Sequence, residues 1–395
     1  MASIKLKGDT SGEVIISAPS VAGASTLELQ ATNGTIATTT EVDALYNHLG
    51  SRNLIINGNM QVSQRGTTFS PSGGAGFFTL DRWRYFITTG CTGNATITQS
   101  DVYPQNTPFR QSIKITPDAT ETPTGSGNIL FQQNFEGQNV QVLQHGSPNP
   151  PKATVSFWVK SNKTGTYCVQ IREEGVTSES YLLYEYTIDN VDTWEKKVIT
   201  WTGNTAHTLN NNTAEGFRII WHLACGSDDH APATTTWTDN TLFLATSNQV
   251  NFFDSTSNEW YMTGVQFEVG DTATPFENVP YDLTLQKCMR YYQRFAGGAA
   301  FTSGINGVYN DTVNIVALHQ HIVPFRATPT FSYSALSHFD LEPFDTQPTV
   351  LTANAAGNLY QASVTGRDPT GRVRGYGGTI TCDNAVGYFD FSAEL

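Results

Sequence analysis

The segment ATVSFWVKS, residues 153–161, gives the strongest indication of the fold class. Val155, Phe157 and Val159 alternate there with more polar residues, and this period of two turns one apolar face toward a core. The same alternation recurs in GFRIIWHLAC, residues 216–225, and clusters rich in Asn, Gly and Ser separate such segments. Short alternating strands divided by turn residues predict a β-sandwich or jelly roll.

Composition and charge narrow the class of protein. The chain has 395 residues, of which 14% are charged and 11% aromatic. This mixture suits β-structure with many turns and enough apolar surface for a core. The net charge of −13 repels a phosphate backbone, so we expect no nucleic-acid binding. No segment approaches the roughly 18–20 apolar residues of a membrane span, and the N-terminus resembles no signal peptide, so we expect no membrane insertion.

The five cysteines are spread far apart along the chain. Their odd number and the absence of CxxC spacing argue against a disulfide framework. We expect free, mostly buried thiols of a protein made in a reducing cytosol. They are Cys91, Cys168, Cys225, Cys288 and Cys382.

Residues 1–50 are predicted to form an arm that cannot fold into a core of its own. The segments SIKLKGD and EVIISAP alternate like half-buried strands, and Thr40 and Gly50 bracket a short amphipathic helix. So few large apolar residues cannot stabilise a separate domain. We therefore expect a docking and trimerisation arm with a helical neck, in which three copies of the chain bury the apolar faces.

Three further regions follow the arm. Residues 51–282 are predicted to form the central jelly-roll β-sandwich. The segment LTLQKCMRYYQRF breaks the β pattern, so we expect a short linker helix over residues 283–300. Alternating segments then return, which predicts a smaller C-terminal β domain over residues 301–395. The predicted fold class is thus mainly β, with a homotrimer expected.

Several segments, taken in order, resemble structural and tail-fibre proteins of tailed bacteriophages, especially marine ones. They are SIKLKGDTSGEVIISAPSVAGASTLELQATNGTIATT, NLIINGNMQVSQRGT with the later DRW, PKATVSFWVKSNKTGTY, NFFDSTSNEWYMTGVQFEVGDTATPFE, LQKCMRYYQRF, IVPFRATPTF and FDFSAEL. The resemblance covers most of the chain, and its motifs are specific as a set. It implies a virion-anchoring arm, a jelly roll similar to carbohydrate-binding modules, a distal β domain and a trimer.

The resemblance also implies a function. We expect a virion tail-fibre protein, assembled in the cytoplasm of the host bacterium and attached to the phage tail or another virion protein through residues 1–50. Its distal domains would bind a host-surface polysaccharide or lipopolysaccharide, without a cofactor and without catalysis. One alternative is a structural virion protein that touches no receptor, such as a connector, nozzle-associated or decoration protein. A polysaccharide depolymerase is the less favoured alternative.

One loop carries the predicted glycan-binding residues. Trp237 lies in GSDDHAPATTTWTDN, with Asp228, Asp229 and Asp239 close to it in sequence. An exposed indole offers a rigid apolar plate to a sugar, and carboxylates there could accept its hydroxyl groups. The alternative is that Trp237 folds back as a plug over the sandwich.

Metal sites are considered for two sets of residues. His319 and His321 lie two positions apart on a predicted strand, and therefore on one face. Around a threefold axis they resemble the iron-binding HxH repeats of some phage fibre needles, but the motif occurs once, so surface or interface histidines are favoured and no metal is assigned. Whether Asp239 and Asp254 hold a structural Ca²⁺ stays open.

Other polar groups are assigned structural roles. A glycosidase needs two carboxyl groups roughly 5–10 Å apart across a sugar bond, which pairs adjacent in sequence do not establish. Asp81-Arg82-Trp83 is interpreted as a structural ion pair or cap with the indole in the core. The carboxylate pairs considered are Glu173 with Glu174, Asp228 with Asp229, and Asp340 with Glu342.

Overall fold

A computed structural model divides the chain into two compact units, Met1–Gly50 and Ser51–Leu395. It describes residues 3–7, 13–17, 52–71, 74, 76–174, 179–239, 244–296, 303–354, 358–382 and 386–395.

The first unit contains two of the predicted strands. Strands β1 (Ser3–Lys7) and β2 (Glu13–Ser17) pair antiparallel, with Ile4 opposite Ile16. The alternation of SIKLK and EVIIS therefore predicted their conformation correctly. The helix predicted over residues 40–50 lies outside the described residues.

The central part of the second unit is a sandwich of two six-stranded sheets. Its strands are β3 (Thr68–Phe69), β4 (Arg84–Ile87), β5 (Ala95–Ser100), β6 (Ser112–Pro117), β7 (Asn128–Glu136), β8 (Ala153–Ser161), β9 (Gly165–Glu174), β10 (Glu179–Ile188), β11 (Glu195–Trp201), β12 (Glu215–Cys225), β13 (Thr234–Asp239) and β14 (Trp260–Val269). One sheet has the order β13-β10-β9-β12-β7-β4, and the other β11-β8-β14-β6-β5-β3. The strand pairs in both sheets are antiparallel.

The sandwich core combines aromatic and aliphatic side chains. Val155, Phe157 and Val159 are completely buried, which confirms the orientation predicted from their alternation. Trp83 is also buried and stacks on Phe131, with ring centroids 5.0 Å apart. Burial of such rings contributes strongly to the hydrophobic stabilisation, because each removes a large apolar area from water.

The region after the sandwich begins with a helix that is shorter than predicted. Helix α1 covers Tyr281–Met289, and the chain then forms strand β15 (Tyr292–Ala296). The prediction of a helix over residues 283–300 is therefore wrong in its second half. The physical reason is that β15 pairs with strand β23 (Tyr388–Ser392), almost a hundred residues later, and local periodicity does not show such a partner.

The remaining strands build a smaller sandwich. They are β16 (Ser303–Tyr309), β17 (Asn314–Gln320), β18 (Thr330–Tyr333), β19 (Phe339–Glu342), β20 (Leu351–Asn354), β21 (Gln361–Arg367) and β22 (Gly377–Cys382). A six-stranded sheet has the order β19-β22-β16-β17-β21-β20, and a three-stranded sheet has the order β15-β23-β18. One hydrophobic cluster unites side chains of both sheets, including Ile315 and Ile380 from the first and Phe389 and Phe391 from the second. The mainly β fold class is thereby confirmed.

The two sandwiches belong to one compact unit with two hydrophobic clusters. The boundary predicted at residue 282 therefore falls between clusters and not between compact units. Polar contacts join the two parts: Arg82 and Arg65 of the central sandwich both pair with Glu394. Arg290, after α1, pairs with Glu136 at 2.8 Å. The three-stranded sheet is therefore held against the central sandwich.

The cysteines and the helices bear on two further expectations. None of the five cysteines, all of which lie among the described residues, forms a disulfide, as the spacing predicted. No helix in the described part of the chain is long and apolar enough to cross a membrane.

Candidate functional site

Trp237 covers the core of the central sandwich. It lies on edge strand β13, and its ring packs edge-on against His145 and Phe217, with centroids 5.3 and 6.5 Å away. Its indole N–H donates to the carbonyl of Thr202 at 2.8 Å. The indole is therefore held by packing and by a hydrogen bond, which is the plug arrangement that we weighed against a sugar plate.

Two of the three acidic residues predicted to assist Trp237, Asp228 and Asp229, lie at the other end of its sheet. The Asn128 amide donates to buried Asp229 at 2.5 Å, and Asp228 is the residue before it. Asn128 pairs with Cys225 of β12. Cys225 lies eight residues along this strand from Phe217, whose ring contacts Trp237. At about 3.3 Å per residue, this separation is about 26 Å. The prediction that Asp228 and Asp229 join Trp237 and Asp239 in one site is therefore wrong, because the chain crosses the sheet between them. Trp237 and Asp239 do lie on one strand, β13.

The carboxylates considered for Ca²⁺ also have protein partners. Asp239 accepts a hydrogen bond from Ser180 at 3.1 Å and contacts the His207 ring at 2.9 Å. Asp254 pairs with Lys163. Among the described residues, no group of three or more His, Cys, Asp or Glu side chains is placed to hold a metal ion.

His319 and His321 pack as aromatic rings within the smaller sandwich. Their rings lie 5.3 Å apart, and each has a centroid 4.8 Å from that of Phe391. Burial lowers the pKa of His319, and burial together with His319 lowers the pKa of His321 to about 4. Both rings are thus neutral near pH 7. This packing explains the pair without a metal.

Two of the carboxylate pairs considered for glycan cleavage lie on strands β9 and β19. Glu173 and Glu174 point to opposite faces of β9: Glu173 is fully buried against His145, 2.5 Å away, and Glu174 pairs with Arg218. Asp340 and Glu342 lie on β19, an edge strand of the smaller sandwich. None of these four side chains lines the cleft described next.

An open cleft of about 440 Å³ lies where the central sandwich meets the three-stranded sheet. We call it the junction cleft. Its apolar lining consists of aromatic rings from both parts, namely Phe69, Phe77, Phe78, Tyr292 and Tyr388. Its polar lining consists of Arg65, Arg294, Ser332, Asp390 and Ser392. The volume lies within the range of roughly 300–1,000 Å³ that is typical of small-molecule sites.

Strand alternation explains which residues the three-stranded sheet turns toward the cleft. In β23, Phe389 and Phe391 enter the core of the smaller sandwich, which leaves Tyr388, Asp390 and Ser392 on the opposite face. In β15, Arg294 stands directly opposite Asp390. The cleft floor is therefore a cross-strand arrangement fixed by register.

Arg294 and Asp390 form the centre of this floor. Arg294 donates through Nε and Nη2 to the two carboxylate oxygens of Asp390, both at 2.8 Å. The guanidinium also lies over the Tyr388 ring, 3.8 Å from its centroid. The pKa of Arg294 is raised because its hydrogen bonds and charge contacts with Asp390 outweigh the effect of burial. This planar, bidentate geometry holds both side chains in fixed orientations.

Arg65 closes one end of the cleft. Its guanidinium lies over the Tyr292 ring at 3.4 Å from the centroid, and it pairs with Glu394 at 3.1 Å and with Asp81 at 3.5 Å. Burial raises the pKa of Asp81 to about 6, although Arg65 opposes the shift. Burial, followed by the charge of Asp390, raises the pKa of Tyr292, so the phenol keeps its proton.

The other wall supplies exposed aromatic surface. Phe69 and Phe78 stack in parallel with centroids 5.0 Å apart, and 46% of Phe69 is exposed. Apolar plates beside hydrogen-bonding groups in fixed positions suit a ligand with both C–H faces and hydroxyl groups. Sugars have this combination.

Our reasoning from the sequence missed the cleft. The only available signal was the alternation in YYQRF and YFDFS, which separates Tyr292 and Arg294 from Phe295, and Asp390 from Phe391. That signal gives faces of strands but not their partners. The cleft requires the pairing of β15 with β23 and the position of Phe69 from the other sandwich.

Comparisons with known proteins give low similarities. No protein-family model and no curated protein matches the chain. Similar solved structures include the enzymatically active domain of tailspike protein 4 from bacteriophage CBA120, at 13% identity and a TM-score of 0.29, covering 55% of this chain and 21% of that one. A protein from Bacteroides thetaiotaomicron described as sugar-binding has 12% identity, a TM-score of 0.30 and coverage of 55% and 99%.

A third similar structure is a xylan-binding domain from Paenibacillus barcinonensis. It has 15% identity and a TM-score of 0.28, and the match covers 48% of this chain and 91% of that domain. The chain thus spans about a fifth of the tailspike structure but nearly all of the two sugar-binding ones. These similarities are too low to assign a ligand or an activity to this chain.

Proposed function

We propose that this chain is a tail-fibre protein of a tailed bacteriophage and binds a glycan of the host surface through the junction cleft. The observation that carries the proposal is the combination of stacked aromatic rings with the fixed Arg294–Asp390 pair in one open cleft. The ordered sequence motifs that resemble tail-fibre proteins supply the biological setting.

The division of the chain supports the assignment of its two parts. Residues 1–50 form a separate compact unit that contains the antiparallel pair β1 and β2, and we assign virion attachment to this unit. Three copies of the chain would place three clefts on one fibre. Weak individual contacts then gain strength because later binding events occur at a high effective concentration.

The cleft favours binding without cleavage. Its described lining contains one carboxylate, Asp390, and both oxygens of that group are engaged by Arg294. Hydrolysis of a glycosidic bond generally uses two carboxyl groups, one of them able to donate a proton. A single carboxylate held as an ion pair suits recognition better than catalysis. We therefore propose a non-catalytic protein.

A structural virion protein remains the second candidate, because one surface suits coverage by another protein. This surface is the outer face of the six-stranded sheet of the smaller sandwich. Val308 and Leu318 are exposed in the middle of that face, with Asn306 and Ser363 beside them. Among the described residues of its four central strands, β22, β16, β17 and β21, this face carries one charged side chain, Arg367, which lies at the end of β21. A face with so little charge can pack against a neighbour in the particle at a low desolvation cost.

Glycan retention by the cleft variant Phe69→Ala tests the proposal. Phe69 is 46% exposed, so its removal should reduce binding to host-surface polysaccharide at least tenfold with little loss of stability. Tyr360→Ala is the matched control, because Tyr360 is 66% exposed and lies outside the cleft. Equal binding by the two variants would contradict the proposed site. Absence of any binding by the wild-type protein, together with firm attachment to virion proteins, would support the structural candidate.

A further inference from the structure

We infer that the junction cleft selects neutral sugars with two adjacent free hydroxyl groups, and excludes uronic and sialic acids. The inference rests on the proposed function and specifies its ligand class. It follows from how the two arginines of the cleft are already engaged.

Asp390 already occupies the Nε/Nη2 fork of Arg294 and neutralises its charge. A guanidinium binds a carboxylate best through two parallel N–H groups. In this cleft Asp390 occupies that arrangement, with both contacts at 2.8 Å. An acidic sugar would have to displace a carboxylate that the fold holds directly opposite Arg294 in the sheet.

Arg65 is equally compensated. Its guanidinium pairs with Glu394 at 3.1 Å and Asp81 at 3.5 Å, and its face rests on Tyr292. With Arg82, which shares Glu394, three arginines thus stand among three carboxylates around the cleft, so the local charge is balanced. The whole chain carries a net charge of −13, which adds long-range repulsion toward an acidic polysaccharide.

The remaining hydrogen-bonding capacity matches a diol. Arg294 uses three of its five N–H groups, two on Asp390 and one from Nη1 to the carbonyl of Arg65 at 3.2 Å. Two N–H groups remain next to a carboxylate that still has lone pairs. In a pair of adjacent hydroxyl groups, each oxygen can accept a hydrogen bond from an Arg294 N–H group, and each O–H can donate to an oxygen of Asp390.

The aromatic wall fixes the second requirement of the ligand. Phe69 and Phe78 stand parallel with an interplanar angle of 2°, so they present aligned edges and one exposed face. A pyranose ring whose C–H groups form one apolar face can pack there while its hydroxyl groups face Arg294 and Ser332.

Titration calorimetry with matched oligosaccharides tests this selectivity. The neutral probes are cellohexaose, maltohexaose and a β-1,3-glucan hexamer, and the acidic probes are a galacturonate hexamer and an oligosialic acid. We expect at least one neutral probe to bind, with a Kd that changes less than twofold between 50 and 500 mM NaCl, because no net charge is paired. Phe69→Ala should weaken this binding at least tenfold.

Two results would overturn the inference, and they separate it from the proposed function. An acidic probe that binds at low salt and loses its binding in Phe69→Ala would leave the cleft as a glycan site with the opposite selectivity. Failure of every probe, neutral and acidic, would remove both the selectivity and the site.

The variant Asp390→Asn tests the role of charge compensation directly. Loss of this carboxylate frees the Arg294 fork, so neutral binding should fall at least tenfold and binding of the galacturonate hexamer should appear. That new binding should weaken at least fivefold from 50 to 500 mM NaCl. Asp101→Asn, at an exposed acid outside the cleft lining, is the control. A folded Asp390→Asn protein that keeps neutral binding would contradict the inference, and the wild-type panel decides the matter if this variant does not fold.

Discussion

Replacement of Glu394 by Ala should destabilise the larger compact unit markedly. Arg82 is 1% exposed and uses Glu394 as its carboxylate partner. Arg82 also donates to the carbonyl of Asn134 at 2.6 Å and lies over the Tyr291 ring, 3.5 Å from its centroid. In Glu394→Ala these neutral contacts remain, but the buried charge loses its counter-ion, and Arg65 loses one of its two carboxylates.

The burial of this pair sets the magnitude. Removal of one partner of a buried ion pair typically costs about 3–5 kcal/mol, because the other charge stays desolvated and uncompensated. With an unfolding entropy of roughly 2.1 cal/mol/K per residue, a unit the size of residues 51–395 should lose about 4–7 °C in Tm. The loss should change little with salt, since the pair is shielded from solvent.

Differential scanning calorimetry at pH 7 in 50 and 500 mM NaCl measures the effect. Glu394→Gln keeps the volume and one acceptor oxygen, and it should lose less than Glu394→Ala. Asp101→Asn serves as the control at an exposed acid and should lie within 1 °C of the wild type. A Glu394→Ala protein with an unchanged Tm would refute the reasoning, because it would mean that Arg82 is either solvated or paired elsewhere.

Three further predictions concern acid titration and packing. Burial lowers the pKa of His222 to about 3, so between pH 6.5 and 3 only the unfolded chain binds this proton. The free energy of unfolding therefore falls by about 5 kcal/mol from pH 6.5 to 3, and urea unfolding should show a smaller decrease over this range in His222→Leu. Burial raises the pKa of Asp81 to about 6, so between pH 3.8 and 6 the folded chain keeps a proton that the unfolded chain has lost. The free energy of unfolding therefore decreases by about 3 kcal/mol as the pH rises from 3.8 to 6. Asp81→Asn should lack that decrease when unfolding free energies are compared at pH 4 and 6.5. Trp237→Ala should cost about 3 kcal/mol in urea unfolding and leave glycan retention unchanged, and the reverse pattern would restore the sugar-plate interpretation.

Local sequence patterns predicted the mainly β class and the faces of individual strands. Val155, Phe157 and Val159 point into the core because alternation in a strand fixes the side of each side chain once one side is apolar. The Asp81-Arg82-Trp83 motif predicted Trp83 in the core, and the number and spacing of the cysteines predicted the absence of disulfides. These features depend on residues next to each other in the chain, so the sequence alone contains them.

The tertiary structure decided which strands meet, and with them the candidate site. Trp237 was expected beside Asp228 and Asp229, but a crossing of the sheet separates them, and the indole packs on Phe217. Strand β15 was expected to be helical because the residues before it have an apolar stripe of helical period. The partner that makes it a strand, β23, is remote in sequence, so no local pattern shows it.

The Arg294–Asp390 pair shows the physical reason for this division. The alternation of each strand determined that both side chains leave the core, whereas their contact at 2.8 Å depends on register between segments 96 residues apart. Register is set by the packing of all neighbouring strands together, and no local period records it. The sequence by itself thus determined the strands and their faces, and only the fold brought charge, aromatic rings and open space into one cleft.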